Sequence, residues 1–259
     1  MIEFLLSLPT WIGFGVTMVS TALAGFVVYL VFYTFIQKYK REDVKEPTNN
    51  LFRVVGMLVS LMLALTFSEV ITEQRTIRNA IQHETVAISD IFEALKLFDT
   101  ERTREIRTNL INYSQAIIDD EWPTLADDRL SQRVGALKMK LVVDVLNLKP
   151  ANPTQKKLLS LIMADIDALS DYRTVRLNSA MAKPPVYAYV ITFGFLVTMA
   201  CFGAYRPQAP LVVLVSLYTV FVGLVLYLVL ALSDPFQGDF GIAPTEFEYF
   251  VETLQSEIR

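Results

Sequence analysis

The chain alternates four long apolar stretches with polar segments, and each apolar stretch predicts a membrane-spanning helix. The second stretch carries Arg53 near its start and Glu69 near its end, and the other three have no charged residue. About 20 apolar residues in a helix cross the hydrocarbon core, and charged side chains near a span end reach the interface. The predicted spans are residues 10–36, 51–71, 185–205 and 211–232.

The long polar segment, residues 72–184, predicts a soluble helical insert between two membrane hairpins. Apolar residues recur three, four or seven positions apart from the second span to Phe98, without Gly or Pro, which predicts one unbroken helix. Asp99 and Thr100 are candidate caps of the next helix and Asn152 of the last one in the insert, and the stretch DDEWPTLADD between them predicts a loop. We therefore divide the chain into a first hairpin (1–71), the insert (72–184), a second hairpin (185–232) and a C-terminal turn and tail (233–259).

Composition supports an all-α integral membrane protein. The chain has 259 residues, of which 53% are hydrophobic and 19% charged. The insert holds 16 basic and 16 acidic residues, whereas Arg53 and Glu69 are the only charges within the four spans. A net charge of -4 argues against nucleic acid as a partner. One cysteine, Cys201, excludes a disulfide scaffold.

Sequence motifs give no support for an enzyme. The chain lacks the GxSxG, GxxxxGK[ST], GxGxxG and HExxH patterns of hydrolases, nucleotide-binding proteins and zinc proteases. His83 is the only histidine and is interpreted as an ordinary helix residue. No carboxylate lies near the middle of a span, which disfavours a proton-coupled pump.

Small and weakly polar residues form a stripe along the second span. The residues of this stripe repeat every four positions and therefore share one helix face; they are Gly56, Ser60, Ala64, Ser68 and Thr72. Small side chains permit close helix packing in lipid, which is one use of this face. The other is a pore lining, with Arg53 attracting anions and Phe67 forming an apolar constriction. A similar stripe in the first span, which we expect to pack against the second, consists of Gly13, Thr17, Thr21 and Gly25.

The stretch SDPFQGDFGIAP follows the fourth span and predicts a turn that ends the helix. Pro235 stops the helix, and Gly238 and Gly241 permit unusual backbone angles. Asp234 and Asp239 could instead contribute to a calcium site, which requires six to eight oxygen ligands. No other cofactor is expected.

Several short motifs, in this order, resemble those of the bacterial bestrophin-like family of membrane proteins. They are Asn50, the stretch LALTFSEV, the stretch HETVAI around Glu84, Tyr113, the stretch SDYRTVRL before Pro184 and Pro185, and DPFQG after the fourth span. Remote relatives of this family are the bestrophins, which are oligomeric chloride channels with four spans per subunit and a pore lined by the second span. Their calcium-binding turn has an acidic run, where this chain has only Asp239.

The resemblance implies a homo-oligomer, of which a pentamer is one form, that resides in the lipid bilayer of the bacterial inner membrane and passes small inorganic anions. It also implies a cytoplasmic insert, although the positive charges flanking the spans are nearly balanced and slightly favour the opposite orientation. Two alternatives stay open. One is a non-conducting scaffold or signalling protein whose insert binds a partner, and the other is a stator subunit of a proton-driven motor.

Overall fold

A computed structural model describes residues 9–38, 45–126, 129–181 and 187–258, and it contains helices, turns and connections but no strand in these ranges. This confirms the all-α prediction for the described residues. The α-helices are α1 (Thr10–Lys38), α2 (Lys45–Phe98), α3 (Glu101–Ala116), α4 (Trp122–Ala126), α5 (Gln132–Leu146), α6 (Pro153–Ala180), α7 (Tyr187–Phe202), α8 (Ala209–Leu232) and α9 (Thr245–Ile258). A π-helical segment, Ile117–Glu121, joins α3 to α4.

The chain divides into two units. The first combines residues 1–72 with 183–241, and the second combines residues 73–182 with 242–259. Helix α2 contributes to both, because it runs through 54 residues without interruption. The prediction of a single helix from the second span to Phe98 is therefore confirmed.

Among the described residues, three helices are long and apolar enough to cross a membrane, namely α1, α2 and α8. Helix α7 is also apolar, with 16 residues, and the predicted third span additionally includes residues 185 and 186, which lie outside the described ranges. A 16-residue helix is about 24 Å long, somewhat less than the hydrocarbon thickness of about 30 Å.

The first unit is held together by close contacts of α1 with α7 and α8. A side-chain carbon added to Gly13 would lie 2.6 Å from the Tyr227 ring, and one added to Gly25 would lie 2.7 Å from the Thr219 methyl group. Small residues on α1 thus let the helix backbones approach, as is common in membranes. Our expectation that this stripe packs against the second span is wrong, because its partners are on α8.

Only one face of α2 contacts other helices of the first unit. A side-chain carbon added to Gly194 of α7 would collide with Val59, and the rings of Phe52 and Phe202 pack at 5.2 Å with an angle of 64°. Thr66 and Val70 are buried further along the same face. Most other residues of the predicted second span are exposed or half-buried.

The second unit is a helical bundle whose core continues the apolar stripes seen in the sequence. The Thr100 side chain caps α3 through a reciprocal pair with Thr103, and Asn152 caps α6 by accepting from the Gln155 amide at 2.8 Å. Both predicted caps are confirmed. Fully buried side chains of this core include Ile77, Ile81, Ile88, Ile91, Phe92, Leu95, Ile106, Leu110, Val134, Val145, Ile162 and Leu169.

Two features of this unit differ from the prediction. The stretch DDEWPTLADD is helical in its first part, because the π-segment and α4 carry the chain through to Ala126. Helix α9 was not predicted, and it packs into the unit through Phe247, which has no exposed surface. The Trp122 indole donates a hydrogen bond of 2.9 Å to the Ile242 carbonyl, so this C-terminal segment completes the core.

Candidate functional site

One exposed face of α2 carries all six residues that the sequence suggested as pore-lining. Arg53, Ser60, Ala64 and Ser68 are exposed, as is Phe67, with 37% of its surface accessible. Gly56 is half-buried, and a side-chain carbon added there would meet no atom within 4 Å. We call this set the small-residue face. No other helix of the described chain covers it closely.

A second exposed face of α2 has a different character. It consists of large aliphatic side chains, each about half exposed, namely Leu51, Val54, Leu58, Leu61 and Leu65. At about 100° per residue, Leu58 lies about 140° from Arg53 around the helix axis. The helix therefore separates a continuous aliphatic face, suited to lipid or to a neighbouring subunit, from a face of small and polar residues that also carries Met57, which is 75% exposed.

Arg53 is the only formally charged residue of the small-residue face. Glu69, the other charge of the span, follows it by 16 positions, which places it about 160° away around the helix. The Ser60 hydroxyl donates to the Gly56 carbonyl at 2.8 Å, so its proton is satisfied within the helix. The face is thus nearly neutral, with one cation close to the start of α2.

A separate cluster of four charged side chains lies inside the second unit. The Arg176 guanidinium donates to both oxygens of Glu84, with distances of 2.8 Å from Nε and 3.0 Å from Nη2. Nη2 also donates to Glu121 at 2.8 Å, and Arg173 donates to the same carboxylate through Nε and Nη2. Glu84, Glu121 and Arg176 have no exposed surface. The two arginines and two glutamates have no net formal charge. Buried charges are tolerated when they are paired and hydrogen-bonded in this way.

Aromatic rings cover the buried guanidinium. Its central carbon lies 5.3 Å from the Trp122 ring centroid and 5.7 Å from that of Phe247. Burial alone would lower the pKa of Arg176, but the charges and hydrogen bonds of Glu84 and Glu121 outweigh burial and raise it above its ordinary value. Arg176 therefore stays a cation at any pH at which the protein is folded.

The charged side chains of this cluster also affect the pKa of Tyr113. Burial raises the pKa of the Tyr113 phenol, and the Glu84 carboxylate raises it further. Among the described residues, the Tyr113 hydroxyl and the Nη1 nitrogen of Arg176 are buried without a hydrogen-bond partner. Such groups are rare in native proteins, so the hydrogen bonding of the cluster is incomplete within the described residues.

Three of the resemblance motifs meet in this cluster. Glu84 comes from HETVAI, Arg173 and Arg176 from SDYRTVRL, and Tyr113 stands between these motifs in the sequence. Glu121 is the member that sequence reasoning missed, because the π-segment that holds it was interpreted as part of a loop. The hydrogen bond from the Trp122 amide to the Ile117 carbonyl, five residues back, shows the wider π-turn.

A signal for the cluster was present in the spacing. Glu84 stands between Ile81 and Ile88 in the apolar stripe of α2, at a position where an apolar residue is expected. Arg176 follows Leu169 of the α6 stripe by seven positions, which is two helical turns. A charged residue at a core position of one helix predicts a partner of opposite charge at a core position of another.

The residues proposed for calcium do not fit a calcium site. The Asp234 carboxylate accepts from the Phe236 amide at 3.3 Å, as in a local turn. The Asp239 carboxylate accepts from the amide and the hydroxyl of Thr10, contacts that lower its pKa. Within the described ranges, no three His, Cys, Asp or Glu side chains come together to hold a metal. His83 stacks on Tyr172, with ring centroids 4.9 Å apart. We derive no calcium-dependent step.

Comparisons with known proteins agree on one family. A model of the Bestrophin-like domain matches residues 18–247. A mutant crystal structure of a bacterial bestrophin homologue from Klebsiella pneumoniae is similar with a TM-score of 0.70 and 14% identity, covering 93% of this chain and 98% of that one. Another mutant of this description has a TM-score of 0.65 and 15% identity, covering 95% and 98%.

A crystal structure described only as a membrane protein is similar at a TM-score of 0.65 and 15% identity, covering 95% of this chain and 96% of that one. No curated protein matches the chain significantly in sequence. At this level of identity the structures establish the fold alone. The family model and the three long apolar helices among the described residues indicate a membrane protein.

Proposed function

Because the chain belongs to the bestrophin-like family, we propose that it forms a homo-oligomeric, passive ion channel that selects small inorganic anions such as chloride. The subunits, five being one arrangement, surround an axis lined by the small-residue face of α2. The true bestrophins, which the sequence resembles remotely, are chloride channels of this kind.

The exposure of the small-residue face is the observation that supports this proposal. In a single subunit this face would lie against lipid, although it includes Arg53 and two serines. Charged and polar residues of membrane helices usually face a bundle interior or a water-filled cavity. When subunits associate around this face, its polar and charged residues no longer contact lipid. The large aliphatic side chains on the other exposed face then contact lipid or the next subunit.

Arg53 and Phe67 have distinct roles in this arrangement. One Arg53 from each subunit creates a ring of positive charge at the mouth of the pore, which concentrates anions and repels cations. Phe67 follows Arg53 by four helical turns, about 21 Å along the helix, and forms an apolar constriction. Transport is passive because no carboxylate lies near the middle of the span for a proton relay.

The proposed setting is the bacterial inner membrane. Helices α1, α2, α7 and α8 are its four spans, and the second unit lies in the cytoplasm. No cofactor is required. Lipid, the permeating anion and further copies of the chain are the only partners that conduction needs.

Chloride flux tests the proposal. Purified oligomer is reconstituted into lipid vesicles, and chloride efflux is followed for wild type, Arg53→Glu, Arg53→Lys and Phe67→Ala. We expect flux in wild type and Arg53→Lys, a shift toward cations in Arg53→Glu and faster flux in Phe67→Ala. Leu65→Ala, two positions from Phe67 on the aliphatic face, is the matched control and should conduct like wild type.

The opposing result is equally clear. Vesicles that contain intact oligomer but show no chloride or cation flux in any variant would overturn the channel. That result would favour a non-conducting scaffold whose helical insert binds a partner, and a pull-down with the full-length protein in detergent would then be the informative experiment.

A further inference from the structure

We propose that Arg75 and Arg78 form a second anion-attracting charge site on the permeation path, distinct from Arg53. The inference rests on the proposed channel function and extends it by naming further residues that determine selectivity. It follows from the register of α2, from the absence of partners for both arginines and from the distribution of acidic residues around the helix.

The small-residue face continues along α2 into the second unit. Ala64 and Ser68 each lie two positions before a buried residue, and so do Arg75, Arg78 and Gln82. The buried residues in question are Thr66, Val70, Ile77, Ala80 and Glu84. Two positions correspond to about 200° around a helix, so all these exposed residues lie nearly opposite the buried side. Arg53 is placed on this face by the helical pitch, because Val55 is only half-buried, and at about 100° per residue Arg75 and Arg78 lie within about 40° of Arg53 around the axis.

Both arginines are free to act on a mobile ion. Arg75 and Arg78 are exposed, and within the described part of the chain no ion pair or hydrogen bond engages either side chain. By contrast, Arg173 and Arg176 of the same unit are fully committed to the buried cluster. An unpaired guanidinium on an exposed surface keeps its charge and its five donors available.

Between residues 53 and 89 no acidic residue of α2 lies on this face, whereas Glu46 and Glu93 have a similar rotational position beyond its two ends. Glu69 lies about 160° from Arg53 around the helix. The Glu73 carboxylate accepts a hydrogen bond from the Ser179 hydroxyl, and Glu84 is buried with Arg176. From residue 53 to residue 89 the formal charges on the exposed face that includes Arg53 are therefore three arginines.

One carboxylate from another helix lies near the far end of the site. Glu246 of α9 lines an open groove of about 600 Å³ together with Gln82, Thr85 and Ser89 of α2. Arg78 is one turn before Gln82, and no ion pair joins it to Glu246. The site formed by Arg75 and Arg78 therefore ends about one helical turn before Gln82, the first residue of α2 that lines the groove.

The expected size of the effect follows from Coulomb's law. A unit charge about 7 Å from an ion in water changes the local ion concentration by roughly threefold. Removing one such charge should therefore lower the chloride-to-cation permeability ratio by about sevenfold, because the chloride concentration falls and the cation concentration rises by roughly threefold each, and removing both should lower the ratio by about fiftyfold. The effect should weaken at high ionic strength because salt screens exposed charges.

The test is a permeability measurement on reconstituted full-length oligomer. Reversal potentials are recorded in a chloride gradient for wild type, Arg75→Gln, Arg78→Gln, the double variant and the charge-preserving Arg75→Lys with Arg78→Lys. We expect stepwise loss of anion preference in the glutamine variants and its retention in the lysine variant. The difference between wild type and the glutamine variants should shrink between about 0.05 and 0.5 M salt. Arg133→Gln, an exposed arginine on α5 without a partner among the described residues, is the matched control and should leave selectivity unchanged.

The outcomes separate this inference from the proposed function. If wild type conducts and the double glutamine variant, assembled to the same size on gel filtration, keeps wild-type selectivity at low salt, the arginine site is refuted while the channel stands. If wild type itself does not conduct, the channel is refuted, and this inference falls with it.

Discussion

Replacing the buried Arg176 by methionine should destabilise the protein by about 3 to 5 kcal/mol. The substitution keeps much of the side-chain volume but removes three hydrogen bonds to two carboxylates, and it leaves Glu84 buried without a cation. Removing one partner of a buried ion pair has an effect of this size, because the remaining charge is isolated from water. Loss of the contacts with Trp122 and Phe247 adds to the effect.

A double variant tests whether the loss of stability comes from the unpaired Glu84 carboxylate. Arg176→Met with Glu84→Met removes one cation and one anion together, and the Glu121–Arg173 pair is retained. Because no unpaired charge is left behind, we expect the double variant to be more stable than Arg176→Met alone by about 2 kcal/mol. Arg104→Met, which breaks an exposed ion pair with Glu101, is the control and should change stability by less than about 1 kcal/mol.

The cluster contains its own probe for the measurement. The chain has two tryptophans, and Trp11 is 76% exposed whereas Trp122 stacks on Arg176. In a Trp11→Phe background, the fluorescence of Trp122 reports unfolding of the second unit in a denaturant titration of the detergent-solubilised protein. The reasoning is refuted if Arg176→Met is no less stable than Arg104→Met, or if the double variant is no more stable than Arg176→Met.

Three further predictions concern Tyr113 and two glycines, one in the turn after α7 and one in α2. Tyr113→Phe should leave the free energy of unfolding at neutral pH unchanged or raise it by about 1 kcal/mol, since the buried hydroxyl has no partner among the described residues; a clear loss of stability in denaturant titrations would contradict this. Because the folded-state pKa of Tyr113 is raised, the unfolded state loses its proton first as the pH rises through about 10. Stability should therefore fall above that pH, and the part of the fall due to this group should vanish in Tyr113→Phe when titrations at pH 8 and 11 are compared. Gly203→Ala should destabilise the first unit, because the added carbon would lie 2.9 Å from the backbone of Phe32, whereas Gly56→Ala meets no atom within 4 Å and should be tolerated in a thermal stability assay in detergent.

Periodicity and capping chemistry predicted much of the helical fold. The continuation of α2 from Glu69 to Phe98 followed from apolar spacing without Gly or Pro in that stretch, and the caps at Thr100 and Asn152 followed from the hydrogen-bonding capacity of their side chains. These features depend on neighbours a few residues away, which is why a sequence can reveal them.

Features that depend on distant partners were harder to predict. A stripe such as Gly13 and Gly25 indicates that a helix packs closely, but not with which helix, and the partner is α8. The π-turn before Glu121 was not predicted for two reasons. Asp119, Asp120 and Pro123 are residue types common in loops, and a π-turn interrupts the 3.6-residue period. The exposed position of the small-residue face was compatible with both packing and pore lining, and its role stays a prediction that flux will decide.

The place of α9 in the second unit has a consequence for biosynthesis. Residues 73–182 emerge from the ribosome well before Phe247, which fills a buried position beside Trp122 and Arg176. The 65 residues between 182 and 247 take about 3 to 13 s to translate, and they include α7 and α8. The second unit therefore cannot complete its core until α7 and α8 have been synthesised.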